Sequence, residues 1–307
     1  MLALAAALLA TQPAQTWQVV DLVGEFDKVV DQTASLPPPQ QADAVQQRFA
    51  TLLPGFYDAR RIEAPADKYR AHLAREIGTY RTSTRPGATR VRARFNAMIG
   101  PAVTDFERKV GALPPGQKIY LVVSLGEFDG ATRTLPGSDK PLLMFGADMI
   151  AKYHGDGDAR AFVQHELFHI YHAQRFPGCK DNWCSLWEEG LATHVAATLN
   201  PGASDADLLL TVPEPIRPAV EAHRTEAVCA VVERLDGDRD AKALFTFSRL
   251  SPHLPPRFGY LVGAWVAADL NRSINLQQLA EMKGPELRQR IEQSLRRMAN
   301  CPAAAAS

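Results

Sequence analysis

Neither sign of charge predominates in this sequence: among its 307 residues, 34 lysines and arginines balance 34 aspartates and glutamates. There is no basic stripe and no glycine-rich loop of the kind that cradles a phosphate. The balanced charge and the missing basic stripe give no support for nucleic acid or an anionic membrane surface as partner, and the missing loop argues against nucleotide binding. Long hydrophobic runs are missing too. The apolar opening, Met1–Ala10, covers about half of the roughly 20 residues a helix needs to cross a bilayer, so no stable membrane span is expected. No internal repeat is visible. With 46% hydrophobic and 22% charged residues, the composition is that of a folded globular chain and not of a disordered one.

Cysteine is scarce, with four in the chain. Cys179 and Cys184 flank the polar run Lys180-Asp181-Asn182-Trp183, a loop that a disulfide could close, and Cys229 and Cys301 remain as a second pair. Four thiols permit three pairings. A metal role for the C-x4-C spacing is disfavoured because no matching second pair exists. The segment 1–14 has the short apolar stretch and small-residue end of a secretory signal, although no Lys or Arg precedes the stretch. Together these features lead to the expectation of a periplasmic or secreted protein.

Apolar spacing predicts helices over Trp17–Val30, Ala42–Leu53 and Ala64–Thr79, and over Val91–Val110 with an interruption at Gly100-Pro101. Arg81–Gly87 reads as a basic, turn-rich linker. β-Branched and aromatic residues then predict strands at Lys118–Ser124 and Leu142–Gly146, with a third, exposed one within Gly126–Thr134. Further helices are expected over Ala161–Tyr171, Ser185–Leu199, Ile216–Leu235, Ala241–Leu250, Phe258–Leu270, Leu276–Met282 and Glu286–Met298. The fold class is therefore α+β and mostly helical. Residues 15–112 form a helical N-terminal region, and 113–302 form a main domain in which a small mixed sheet feeds a central helix.

That central helix carries His165-Glu166-Leu167-Phe168-His169, an H-E-x-x-H motif inside an apolar-periodic run. Residues four apart share one helix face, so both imidazoles can reach a single ion. Glu166 projects beside them, placed to take a proton from a water on that ion. A catalytic zinc site usually takes three protein ligands. The downstream segment Leu186-Trp187-Glu188-Glu189-Gly190-Leu191-Ala192-Thr193-His194 offers the third.

H-E-x-x-H followed some twenty residues later by W-x-E-G-L-A resembles the gluzincin branch of the zincin metallopeptidases, and within it the predicted zinc-dependent proteases of bacteria. Gluzincin aminopeptidases carry a comparable E-G-F-A segment in which the Glu before Gly binds zinc. Matched residue by residue, that Glu is Glu189. Independently, Ser185-Leu186-Trp187-Glu188 has the S-x-x-E form of a capping box, which would give Glu188 a local task and leave Glu189 for the metal. The resemblance also implies that Thr193, four positions on, supports a ligand histidine. It continues at Pro255–Trp265, where similar proteases carry P-x-x-G-Y at the start of a late helix. It covers roughly 119–298, but only the zinc segments are specific. It implies a zincin-like fold for 113–302, with the sheet packed on the motif helix and a helical C-terminal lobe, one Zn2+ per chain, and a peptide or protein substrate.

His172 returns to the motif face, but helical rise puts it about 10 Å from His165, so a supporting or core role is expected. An oxyanion donor is needed. Tyr260 is favoured, with His253 and Arg257 as rivals. His154 precedes Gly155-Asp156-Gly157-Asp158, which lacks the full calcium-loop pattern and reads as a structural turn. The expected activity is peptide hydrolysis with Glu166 as general base. A non-catalytic zincin-fold binding or envelope-assembly protein is the alternative, and hydrolysis of an amide outside peptides is a third possibility.

Overall fold

A computed structural model describes residues 17–301; the expected signal segment, 1–14, lies outside them. The first element is a strand, β1 (Trp17–Asp21), and only then does helix α1 (Val23–Gln32) begin. This corrects the single helix expected over Trp17–Val30. The β-branched Val19 and Val20 pair in parallel with β2 (Gln117–Val122), so a long-range ladder overrides the local helical spacing. Asp21 then turns the chain into α1 by accepting from the Val23 amide at 3.0 Å.

α2 (Pro38–Leu52) and α3 (Ala66–Thr79) follow, and a π-turn over Tyr80–Thr84 leads straight into α4 (Arg85–Lys109). The expected linker at Arg81–Gly87 is therefore helical. The expected break at Gly100-Pro101 is not made either: α4 runs through Pro101. Proline removes one helix hydrogen bond, but Ile99, Ala102, Val103 and Phe106 are all buried on either side of it and hold the axis together. The N-terminal helices share one core with the sheet. Phe26, Phe49, Tyr57 and Tyr80 cluster edge to face, and Tyr57 donates its hydroxyl to the Val123 carbonyl at 2.6 Å.

β3 (Gly130–Thr134) and β4 (Pro141–Gly146) complete a four-stranded mixed sheet in the order β1-β2-β4-β3. β2 and β4 run parallel, whereas β3 pairs antiparallel to β4 and stands at the edge. The chain is thus α+β and mostly helical, and the sheet takes β1 from before residue 112 and its other three strands from after it. α5 (Ala147–His154) follows β4 directly, and its Asp148 organises the loop before β3. The buried carboxylate accepts from the Ser124 amide (2.7 Å), the Ser124 hydroxyl (3.0 Å) and the Gly126 amide (2.8 Å).

α6 (Arg160–His172) lies against β3 and β4, α7 (Asn182–Leu199) packs on α6, and α11 (Gly259–Asn271) packs along α7. Between them, the helix expected over Ile216–Leu235 is split at His223 into α8 (Arg217–Ala222) and α9 (Arg224–Val232). α10 (Ala241–Phe245) stops five residues before the expected Leu250. α12 (Leu276–Glu281) and α13 (Gly284–Met298) close the described chain. Disulfides join Cys179 to Cys184 and Cys229 to Cys301. No helix among the described residues is long and apolar enough to cross a membrane.

Candidate metal centre

α6 is buried on nearly every face: of its thirteen residues only Arg160 and His169 are not fully covered. A helix that is covered all round must find partners for its polar side chains inside the protein. His165 and His169 find them together. Their Nε2 atoms lie 3.1 Å apart, and each lies 3.4 Å from Oε2 of Glu189 on α7. Donor atoms 2.0–2.1 Å from a tetrahedral zinc are separated by roughly 3.3–3.4 Å, so these three atoms fit the corners around one ion. The two imidazole planes cross at 80°, which lets their lone pairs converge. Glu189 Oε2 is buried and has no hydrogen-bond partner among the described residues, an arrangement that a cation at the common point would satisfy. One feature of metal-binding histidines is missing: Nδ1 of His165 has no acceptor to fix its tautomer.

The charges in this cluster are tightly coupled. Burial alone would raise the Glu189 carboxyl, but His169 and His165 hold it well below the usual range. Burial opposes a charge on His169, yet Glu189 and Glu166 together lift its pKa to about 9. Burial depresses His165. A pocket that holds one anion against two imidazoles is built to take a positive charge.

Glu166 is largely buried at the cavity wall, and burial pushes its carboxyl up to about 8, with Asp129 and Glu189 adding to the shift against the pull of His169. It sits beneath the start of β3. A Cβ on Gly130 would fall 2.4 Å from Glu166 Cγ and 2.8 Å from Oε1, so only glycine lets the edge strand pass this close. Gly130 is a site residue that sequence reasoning missed; a glycine at a strand start is the only trace it leaves. Asp129 and His154 were missed as well. Nε2 of His154 lies 2.9 Å from Asp129 Oδ2, and its ring stacks 4.2 Å from that of Phe162 on α6. The pair ties the strand entrance to the motif helix.

A cavity of about 470 Å3 opens over the cluster, walled by β3 from Gly130 to Thr134, by α6, and by Arg257 and Tyr260 at the start of α11. The Tyr260 ring lies nearly parallel to that of His165, 6.2 Å away. Burial raises its phenol, so it stays protonated. Arg257 stacks over Tyr260 at 4.3 Å and donates to the Val212 carbonyl at 2.9 Å.

Other expected residues lie elsewhere. Ser185 is not an N-cap: α7 begins at Asn182, and Ser185 lies inside it. The first turn is held by the loop after α9, where the Asn182 and Trp183 amides donate to Gly237 and Leu235 and the Asn182 side chain donates to Arg234 and Arg239 carbonyls. The capping argument that assigned Glu188 a local task therefore fails, although Glu189 is the carboxylate that turns to the histidines. Thr193 donates to the Glu189 carbonyl one turn back, at 2.8 Å; it bonds backbone and supports no ligand histidine. His172 is stacked between Phe168 and Phe176, both 4.9 Å away, as a core histidine at the cavity floor.

His253 pairs with Glu226 at 3.1 Å, outside the cavity. With His223 it forms a second His-Glu-His group. There the rings are stacked in planes only 6° from parallel, so their in-plane lone pairs do not meet at one point.

Comparison of the chain with protein-family models, with curated proteins and with solved structures gives no match. The functional reading rests on the geometry above.

Proposed function

We propose that the chain is a zinc-dependent peptidase of the zincin type, exported to an oxidising compartment. The observation that carries this reading is the convergence of His165, His169 and Glu189 at tetrahedral spacing, with Glu166 enclosed beside them in an open cleft. A purely structural zinc would need no such carboxylate. The two disulfides fit periplasmic or secreted conditions.

His165, His169 and Glu189 would hold the ion. Bound there, zinc supplies Lewis acidity, which polarises a carbonyl and acidifies water. The chain's own groups do the rest. β3 offers an unpaired edge along the cavity, and an extended peptide can add to it as a further strand. The Glu166 carboxylate accepts the proton of the attacking water and passes it to the leaving amine. Its place beneath Gly130 keeps the carboxyl group beside the three proposed ligands, at the wall of the cavity. Tyr260 donates its phenol hydrogen to the oxygen on which negative charge develops, and the stacked Arg257 guanidinium holds the ring in place.

Purified protein is expected to carry one zinc per chain, to lose peptide cleavage on chelation and to regain it with added zinc. Glu166→Gln should keep the metal and lower kcat/KM by about 10²–10⁴-fold. Glu189→Gln should lose the metal. Undiminished cleavage by Glu166→Gln would overturn its role as base, and full zinc occupancy in Glu189→Gln would overturn the ligand set.

A further inference from the structure

Four carboxylates line the cavity: Asp129, Glu166, Glu188 and Glu189. Three have partners or tasks, since Asp129 is bonded to His154, Glu166 is the base, and Glu189 faces the two histidines. Glu188 has neither. Among the described residues it makes no hydrogen bond and no ion pair, and its carboxylate opens to the cavity. Successive helix residues point about 100° apart, so Glu188 cannot share the common point reached by Glu189. The same cavity is lined by His172 and Ala173 at the end of α6, and the Cβ position of Gly178 lies 3.5 Å from Glu188 Oε1.

The cations in the cavity are engaged elsewhere. Arg133 stacks over Phe128 at 5.0 Å, and Arg257 is held by Tyr260 and the Val212 carbonyl. Glu188 feels the charge of the His169 imidazole, but that ring is engaged by Glu189, so the direction left for a directly bonded counter-charge to this half-buried carboxylate is the cavity itself. We propose that Glu188 is a specificity-determining residue that binds the cationic side chain, arginine or lysine, of a substrate residue next to the bond to be cut. The inference rests on the peptidase reading above and deepens it to a substrate class. A guanidinium can bridge both carboxylate oxygens, so arginine should be preferred to lysine.

The test uses the zinc-loaded full chain and peptides that differ at one position: arginine, lysine, glutamine or glutamate. Wild type is expected to favour the basic peptides over the glutamine peptide by roughly 10–100-fold in kcat/KM, the range of one charge-assisted contact. The nearly isosteric Glu188→Gln should bring that ratio below about 3-fold while cleavage of the glutamine peptide and zinc content stay unchanged. Glu188→Lys should move the preference to the glutamate peptide. A wild-type enzyme indifferent to basic residues, or an undiminished preference in Glu188→Gln, overturns the proposal and leaves the peptidase reading standing. Binding separates the reverse case. In zinc-loaded Glu166→Gln, fluorescence anisotropy should show tighter binding of the arginine peptide than of the glutamine peptide, and adding Glu188→Gln should remove the difference. That result without any cleavage by wild type would support the cation subsite and defeat the peptidase; equal or undetectable binding would defeat the subsite.

Discussion

His172 carries an imidazole where the core offers it almost nothing polar. It is 2% exposed, its Nε2 has no partner, and aromatic rings cover both faces. Burial, with His169 and Arg175 adding to it, pulls its pKa down to about 3. An unfolded histidine titrates near 6.5. Between these values the unfolded chain binds a proton that the folded chain refuses, so stability falls as pH drops from 6.5 toward 3. By pH 5 the loss from this one group is roughly 2 kcal/mol. Replacing it with a residue of similar size that cannot titrate, His172→Leu, should flatten the acid limb. With chelator present to remove any metal effect, melting temperatures at pH 7.5 and pH 5 are expected to differ less in the variant than in wild type. An equal drop in both proteins would assign the acid sensitivity to another group. Much of the candidate site was legible at this scale because helix geometry is local: spacing alone puts His165 and His169 on one face. Which of Glu188 and Glu189 turns inward was not legible in this way, because the start of α7 is fixed by carbonyls some fifty residues away.

Among the elements, the α7–α11 crossing decides how the third ligand meets the oxyanion donor. Glu189 stands on α7 and Tyr260 on α11, and the two helices touch at glycine. A Cβ on Gly190 would lie 2.2 Å from the Gly263 carbonyl carbon, and one on Gly263 would lie 2.4 Å from the Leu186 carbonyl oxygen. Backbone meets backbone here, so no side chain can swing aside to relieve an added methyl. Gly190→Ala must push the helices apart, at a cost of at least about 1–3 kcal/mol by the usual scale of overpacking. The expected outcome is a lowered denaturant midpoint together with weaker zinc binding, because Glu189 is the preceding residue. A variant with wild-type stability and zinc affinity would show that the crossing does not set the ligand position. The amphipathic α13 was legible from its pattern, and α6 from the motif set in its apolar run. β1 was not, since five residues with helical spacing become a strand only through pairing with β2, about a hundred residues on. The continuity of α4 through Pro101 was hidden for a similar reason, being a product of packing on both sides.

For the whole molecule, the two disulfides constrain very different lengths of chain. Cys179–Cys184 closes 5 residues and Cys229–Cys301 closes 72. If both act mainly by restricting the unfolded chain, loop-closure entropy assigns about 2 kcal/mol to the short bridge and about 4 kcal/mol to the long one. The longer bridge fastens the end of the described chain to α9, across which α13 packs with Leu287, Ile291 and Leu295 fully buried. The shorter one starts at the residue after Gly178, whose Cβ position lies 3.5 Å from the cavity-lining Glu188. Their removal should therefore separate stability from function. The Cys229→Ser/Cys301→Ser pair is expected to lose about twice the unfolding free energy of the Cys179→Ser/Cys184→Ser pair. The short-loop pair, in contrast, should show the larger change in kcat/KM toward arginine peptides. Urea midpoints and peptide kinetics on the two double variants check both halves. If the long-loop pair proves no less stable than the short, the buried face of α13 already restrains the chain end, and the bridge adds little to that packing.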